Sequence, residues 1–249
     1  MASTAQNTPF IKQFASSDKR IRDKALDSLR TFLSGRSSIE EIELLKLWKG
    51  LFYCMWMSDK PLVQQRLAVD LASLVDTLRP DVVLPFLDAF WKILAREWGN
   101  IDALRMNKFL YLIRQYLFAS FRYLSRHSWA NTTAITGCMD VLAATPLNPT
   151  DPKIPNGMRY HVLDIYVDEL DRVDADREGK MPLEALLAPV RALDMESKTK
   201  AVRKSAREVL TDERLKDWNK VEEGADEESS GGAAVGAEED DGEWGGIDD

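Results

Sequence analysis

Apolar residues recur every three or four positions along most of the first 218 residues, and short polar segments rich in proline or glycine separate these runs. Such spacing places the apolar side chains on one face of a helix. The first run extends from Ile21 to Leu33, with Ser17 or Asp18 as its cap and Gly35 as its end. No alternation of β-branched residues is long enough to predict a strand. The pattern therefore predicts an all-α fold.

The same spacing predicts a series of further helices. The second helix begins after Ser38, which forms a capping-box pattern with Glu41, and it carries Trp48, Phe52 and Trp56 four positions apart. These aromatic residues belong either to the core or to a partner-binding surface. The later helices are predicted over approximately Pro61–Leu78, Asp81–Trp98, Asp102–Arg126, Asn131–Ala144, Arg159–Val173, Pro182–Met195 and Lys198–Trp218.

Helices of this length, joined by short loops and without strands, are typical of stacked antiparallel helix pairs. We therefore predict a HEAT-like α-solenoid that forms one helical repeat domain over residues 1–218. No sequence repeat with a fixed period is visible, so an irregular helical bundle stays open as the alternative.

The last 31 residues, 219–249, differ from the rest in composition and charge. They contain 12 acidic residues, one basic residue and seven of the 13 glycines. The overall net charge of −8 therefore divides into a body of +3 and a tail of −11. A segment with so few apolar residues cannot offset the entropy of ordering, so we predict a disordered acidic tail.

Few residues of the sequence suggest catalysis or metal binding. Its two histidines, His127 and His161, have no partners at metal-ligand spacing, and no glycine belongs to a phosphate-binding loop. Cys54 and Cys138 each lie among apolar residues, which favours buried free thiols and a reducing compartment. No apolar run is long enough to span a membrane. We expect no enzymatic activity, no metal and no cofactor.

One segment of 37 residues, Ala103–Met139, contains no acidic residue. An α-helix turns by about 100° per residue. Viewed down the axis of the predicted helix, four of the cations and Gln115 therefore fall within one arc of about 100°, opposite an apolar face. Tyr111, Tyr123 and Trp129 lie in or near this polar side, and cations with nearby aromatic rings suit RNA. The alternative is that acids of a neighbouring helix pair with these cations. The predicted basic stripe consists of Arg105, Lys108, Arg122 and Arg126.

Two further charged surfaces are predicted near the end of the helical region. The last helix carries a second set of candidate RNA- or partner-binding cations, Lys198, Lys200, Arg203, Lys204 and Arg207. The helix before the last two carries a candidate acidic docking face for basic partners, Asp164, Asp168, Glu169 and Asp171. The basic set is equally compatible with an ordinary solvated helix face, and the acidic set is more typical of a solvated face or a docking site than of an acid/base pair.

Four segments resemble the eukaryotic ribosomal RNA-processing protein 1 family. They are PFIKQFASSDKRIRDKA at 9–25, LWKGLFYCMWMSDKP at 47–61, WGNIDALRMNKF at 98–109 and YHVLDIYVDEL at 160–170. The resemblance covers approximately residues 8–215. Some relatives carry long basic C-terminal extensions, whereas this sequence ends in acidic residues, which puts RNA contacts of such an extension in doubt.

The resemblance implies a non-enzymatic, nucleolar assembly factor of the nucleus. Such a protein acts in pre-60S particles, where it is needed for internal-spacer processing and large-subunit maturation. Its expected partners are other assembly factors, ribosomal proteins and the pre-ribosomal RNA backbone, without a membrane. A pure protein–protein adaptor with an internally paired basic stripe is the alternative. A nuclease is disfavoured, because the surface best suited to RNA lacks the acids that hold catalytic metals.

Overall fold

The computed structural model describes residues 11–177 and 180–218, and within those ranges it contains helices and connecting segments but no strand. The all-α prediction is confirmed for this part of the chain, and the predicted acidic tail lies outside it. Two short 3-10 helices lie at Ser73–Thr77 and Trp98–Asn100. The α-helices are α1 Ile11–Phe14, α2 Lys19–Ser34, α3 Glu41–Trp56, α4 Pro61–Ala72, α5 Pro80–Glu97, α6 Ala103–Leu124, α7 Thr132–Ala144, α8 Asn156–Val173, α9 Leu183–Leu186, α10 Ala188–Glu196 and α11 Lys200–Leu210.

Several helix boundaries fall where the sequence predicts them. The Asp18 side chain accepts a backbone hydrogen bond at the start of α2, and Gly35 is the C-cap of that helix. Pro61 and Pro80 lie at the first positions of α4 and α5. Proline is tolerated there because its missing N–H would have no partner within the helix.

Three details of the predicted helices are wrong. Ser38 does not cap α3, whose N-cap residue makes no side-chain hydrogen bond. The helix predicted over Pro182–Met195 is two helices, because Pro189 opens a new helix and cannot continue the preceding one. The helix predicted over Lys198–Trp218 is interrupted after Leu210, and residues 214–218 are helical again.

Most helices pack against the helix two further along the chain, and α8 packs against the helix three further along. In one row α3 contacts α5, and α5 contacts α7; in the other row α4 contacts α6, α6 contacts α8, and α8 contacts α11. Stacked helix pairs produce contacts of this kind. The description as a HEAT-like solenoid stays a prediction.

An aromatic cluster joins the two rows of helices. Trp48 of α3 is fully buried, and its ring centroid lies 5.0 Å from Phe86, 4.9 Å from Phe90 and 5.0 Å from Tyr116. The indole N–H of Trp48 donates a hydrogen bond to the carbonyl oxygen of Phe86 at 2.9 Å. Phe52 is also buried. The core interpretation is confirmed for Trp48 and Phe52, whereas Trp56 is half-buried and packs against the edge of the core.

Candidate nucleic-acid and partner-binding surfaces

The first part of the basic stripe lies near the start of α6. The guanidinium group of Arg105 forms an ion pair with Asp102 and lies 4.7 Å from the ring centroid of Trp56. The Lys108 side chain is only 6% exposed, and its Nζ donates to the carbonyl oxygens of Trp56 and Ser58, both at 2.7 Å. Carbonyl groups at the end of a helix lack hydrogen-bond donors within the helix, and the ammonium group of Lys108 provides a donor there. The prediction that Lys108 faces solvent is wrong.

The second part of the stripe lies at the end of α6. Arg122 and Arg126 both form ion pairs with Asp76, which lies in the first 3-10 helix, and the Arg126–Asp76 distance is 2.5 Å. Both arginine side chains are about two-fifths exposed, at 43% and 41%. For Arg122 and Arg126 the structure thus shows the alternative arrangement, in which an acid of a neighbouring element pairs with the cations. One carboxylate shared by two guanidinium groups leaves one positive charge uncompensated.

The position of α6 within the stack explains why the stripe is not a free surface. This helix packs against α4 on one side and α8 on another, so most of its circumference is covered. Gln115, predicted within the polar side, is 5% exposed, and Trp129 is 6% exposed. A helix with one apolar face was expected, whereas α6 buries two sides.

The acidic residues of α8 mostly pair with arginines. Glu169 is fully buried and accepts from Arg114 at 2.5 Å and from Arg172 at 3.3 Å. Asp168 accepts from Arg114 at 2.9 Å and from Arg214 at 3.0 Å. The prediction of Glu169 as part of an exposed docking face is wrong. The pairs instead connect α8 to α6 and to the segment after α11.

The other two acids of the predicted docking face have different surroundings. Asp171 forms an ion pair with Arg177, just beyond the end of α8. Asp164 is exposed and has no hydrogen bond or ion pair with any residue that the structure describes. Asp164 is therefore the member of this set that is available to a partner.

The second set of basic residues lies on α11 and just before it. Lys198 and Lys200 are exposed and pair with no described residue. Lys204 is 78% exposed, and its Nζ lies 3.4 Å from Glu208. Arg207 is 66% exposed and pairs with Asp194 at 2.8 Å. The fifth cation of this set, Arg203, is half-buried and donates to the carbonyl oxygen of Ser197 at 2.6 Å.

Charge balance separates the two basic surfaces. The five cations of the α11 surface face two partner carboxylates, Glu208 and Asp194, which leaves a net charge of +3. On α6 the exposed cations have Asp102 and Asp76 as partners and retain one positive charge. The α11 surface, defined as Lys198, Lys200, Arg203, Lys204 and Arg207, is therefore the stronger candidate for binding an anion.

A groove that the sequence did not predict lies between α6, α8 and α11. It has a volume of about 730 Å³, and its lining includes Trp98, Leu110, Tyr160, Asp164 and Glu208. These residues come from separate helices, and no spacing in the sequence relates them. Leu110 and Tyr160 are both half-buried, and neither was predicted to line a groove.

The groups suited to catalysis or metal binding are dispersed. Within the described residues, no cluster of His, Cys, Asp and Glu could hold a metal ion. Cys54 and Cys138 are buried free thiols, as predicted, and burial raises the pKa of each to about 12. Burial lowers the pKa of His161, whose Nε2 lies 2.9 Å from the carbonyl oxygen of Leu110. No helix among the described residues has the length and apolar character needed to cross a membrane.

The described residues thus define a class, an all-helical protein with stacked helices and an exposed basic surface on a late helix. The chain matches the family model described as nucleolar protein, Nop52 over residues 5–245, and it belongs to that family. The resemblance to the ribosomal RNA-processing protein 1 family is confirmed.

Relatives in several animals carry a matching region. Ribosomal RNA processing protein 1 homolog B of Homo sapiens is 43% identical over 170 residues, which are 66% of this chain and 22% of the human protein. The Mus musculus homolog B is 39% identical over 179 residues, 70% of this chain and 24% of the mouse protein. The Drosophila melanogaster homolog is 34% identical over 172 residues, 67% of this chain and 25% of that protein. The matched region therefore spans about a quarter of these relatives.

Proposed function

We propose that this chain is a helical scaffold that acts in ribosomal RNA processing within nucleolar precursors of the large ribosomal subunit, and that it is not an enzyme. The family is described as nucleolar, and the relatives are named for ribosomal RNA processing. The scaffold role is supported by a core that joins stacked helices.

The observation that carries this proposal is the α11 surface. Three of its lysines, Lys198, Lys200 and Lys204, extend into solvent, and only Lys204 has a carboxylate nearby. Cationic side chains of this kind neutralise phosphates and release the counterions condensed on RNA. Contacts to phosphate carry no sequence information, so we expect these residues to position the protein on RNA rather than to select a sequence.

A protein–protein adaptor without RNA contacts is the second candidate function. It is favoured by the Asp76 pairs with Arg122 and Arg126, since they compensate most of the charge on α6. In that case the α11 surface binds an acidic protein segment instead of RNA.

The deciding experiment compares two triple variants that remove the same charge. The first is Lys198→Gln/Lys200→Gln/Lys204→Gln, which changes the α11 surface. The matched control is Lys24→Gln/Lys46→Gln/Lys60→Gln, because these lysines are also exposed and have no described partner. The salt dependence of binding to a fragment of internal-spacer RNA is measured for both variants and for the wild type.

We expect the α11 variant to reduce the slope of log K against log salt by about two units, because each phosphate contact to single-stranded RNA contributes about 0.7. The control should keep the wild-type slope. Equal slopes for all three proteins, together with normal entry of the α11 variant into precursor particles, would remove the α11 surface from the proposal. Loss of particle entry with an unchanged RNA slope would favour the adaptor.

A further inference from the structure

The groove between α6, α8 and α11 is lined largely by apolar and aromatic side chains. Met106 and Leu110 line it from α6, Tyr160 and Val167 from α8, and Val209 from α11. Its volume of about 730 Å³ lies within the range of about 300–1,000 Å³ that is typical of ligand-binding clefts. Open apolar surface of this shape is typical of an interaction site.

A tryptophan occupies one end of the groove. Trp98 follows α5 and lies against the backbone of Gly157, where an added Cβ would come within 3.2 Å of the indole nitrogen. Glycine at position 157 therefore permits this close approach. The indole N–H donates to no acceptor among the described residues, and the nitrogen is not fully buried. It is thus available to a hydrogen-bond acceptor of a bound molecule.

The charged groups around the groove are predominantly acidic. Asp164 makes no hydrogen bond or ion pair with a described residue, although its charge acts on His161, and Glu208 is 62% exposed with only the largely exposed Lys204 near it. The third carboxylate, Asp212, pairs with Arg214 at 2.8 Å, so those two charges compensate each other. His161 also lines the groove, and burial lowers its pKa, so it adds no positive charge at neutral pH.

We propose that this groove docks a basic peptide segment of a partner protein, with a large apolar side chain of that segment inserted beside Trp98. Lysines or arginines on either side of the inserted residue then face Asp164 and Glu208. This site adjoins the α11 surface at Glu208, which lies 3.4 Å from Lys204, and it does not require that surface to bind RNA.

Charge complementarity selects this occupant over the alternatives. Phosphates of RNA would approach Asp164, which forms no ion pair with a described residue, and Glu208, whose charge only Lys204 offsets, and this repulsion costs free energy. Residues 219–249 of this chain carry a net charge of −11, so the same repulsion disfavours them. A second copy of the chain would have to present its own basic residues to the groove, and the oligomeric state tests that arrangement.

The experiment uses the full chain and a fluorescent peptide, Lys-Lys-Phe-Lys-Leu-Lys-Lys, with binding measured by fluorescence anisotropy. A second peptide carries serine in place of phenylalanine and leucine. Asp164→Lys/Glu208→Lys reverses the charges at the groove, and Asp27→Lys/Glu43→Lys is the matched control at exposed acids of α2 and α3. Ser205→Trp places a large side chain into the groove from α11. Thermal unfolding establishes that each variant is folded.

We expect the first peptide to bind the wild type, and we expect the groove charge reversal and Ser205→Trp each to weaken binding by about tenfold. The matched control should stay within about twofold. The serine peptide should bind at least about tenfold more weakly than the first one.

Four results of these measurements would overturn the proposal, and a fifth comes from removal of residues 219–249. They are equal binding of both peptides, equal weakening by the control, loss of RNA binding in Ser205→Trp, and a wild-type dimer that the groove charge reversal dissociates. The third would assign the groove to RNA and the fourth to a second copy. Removal of residues 219–249 provides the last comparison: a tenfold gain in peptide affinity would assign the groove to the chain's own acidic segment.

Discussion

The ammonium group of Lys108 donates a hydrogen bond to the backbone carbonyl oxygen of Trp56 at 2.7 Å, although the two residues are 52 positions apart in the sequence. This contact connects the start of α6 to the end of α3. It also satisfies a helix-terminal carbonyl that water would otherwise have to reach. A residue that resembles part of an RNA-binding stripe thus has a structural role.

Replacing Lys108 by methionine should therefore destabilise the protein. The carbonyl oxygen of Trp56 would lose its donor, whereas that of Ser58 keeps the amide of Gln64 at 2.8 Å. One unsatisfied carbonyl costs about 1–3 kcal/mol in the free energy of unfolding. Urea denaturation measures this change. Lys46→Met is the control, because Lys46 is exposed and such substitutions stay within about 0.5 kcal/mol. Equal stability of the two variants would contradict the structural role.

Lys108 should also give the free energy of unfolding a pH dependence. Burial lowers the pKa of Lys108 from 10.5 to about 8 in the folded protein. Between these two values the unfolded chain binds more protons than the folded one, so the contribution of Lys108 to stability rises with pH. We expect the wild type to gain stability relative to Lys108→Met from about pH 7 to about pH 10. If the wild type instead lost stability relative to Lys108→Met over this pH interval, the folded state would favour the charged ammonium form of Lys108.

Reversing the charges of Arg122 and Arg126 should cause only a small loss of stability. Their ion pairs with Asp76 are partly exposed, and such pairs contribute about 0.2–1 kcal/mol each. Arg122→Glu/Arg126→Glu should keep its helical circular dichroism, and the further change Asp76→Arg should restore part of the lost free energy. A failure of Asp76→Arg to restore any stability would mean that the pairs contribute nothing.

Replacing Glu169 by alanine should destabilise the protein far more than replacing Asp164 on the same helix. Its carboxylate is fully buried between Arg114 and Arg172, so Glu169→Ala leaves the guanidinium groups without this partner. Breaking a buried pair costs about 3–5 kcal/mol, and we expect about 2–4 kcal/mol here because Arg114 is partly exposed. Asp164→Ala serves as the control, and it should change the midpoint of chemical denaturation little. A similar effect of both substitutions would show that burial of Glu169 is unimportant.

Trp48→Ala should destabilise the core that joins the two rows of helices. The change removes a fully buried ring and its hydrogen bond to the carbonyl of Phe86. Substitution of a buried tryptophan by alanine costs about 3–5 kcal/mol. The midpoint of urea denaturation should fall accordingly. A variant that stays as stable as the wild type but no longer joins precursor particles would instead support an interface role.

The sequence by itself determined the fold class and most of the helix boundaries. Apolar spacing specifies a helix face locally, and residues such as Asp18, Pro61 and Pro80 act within one turn, so their effects can be derived without the rest of the molecule. The breaks at Pro189 and after Leu210 were missed, because the apolar pattern continues across both positions. Membership of the family also followed from local segments of sequence.

Only the tertiary structure decided which charged residues remain free. Arg122 pairs with Asp76, which is 46 positions away in the sequence, and Arg114 pairs with Glu169, which is 55 positions away. No local sequence pattern therefore contains both partners of either pair. An acid-free segment still acquires acidic neighbours once α6 is packed between α4 and α8. The exposed lysines of α11 differ because that helix lies at the end of the described stack and keeps one side open. The groove beside Trp98 likewise exists only where three helices meet, which periodicity along one helix cannot encode.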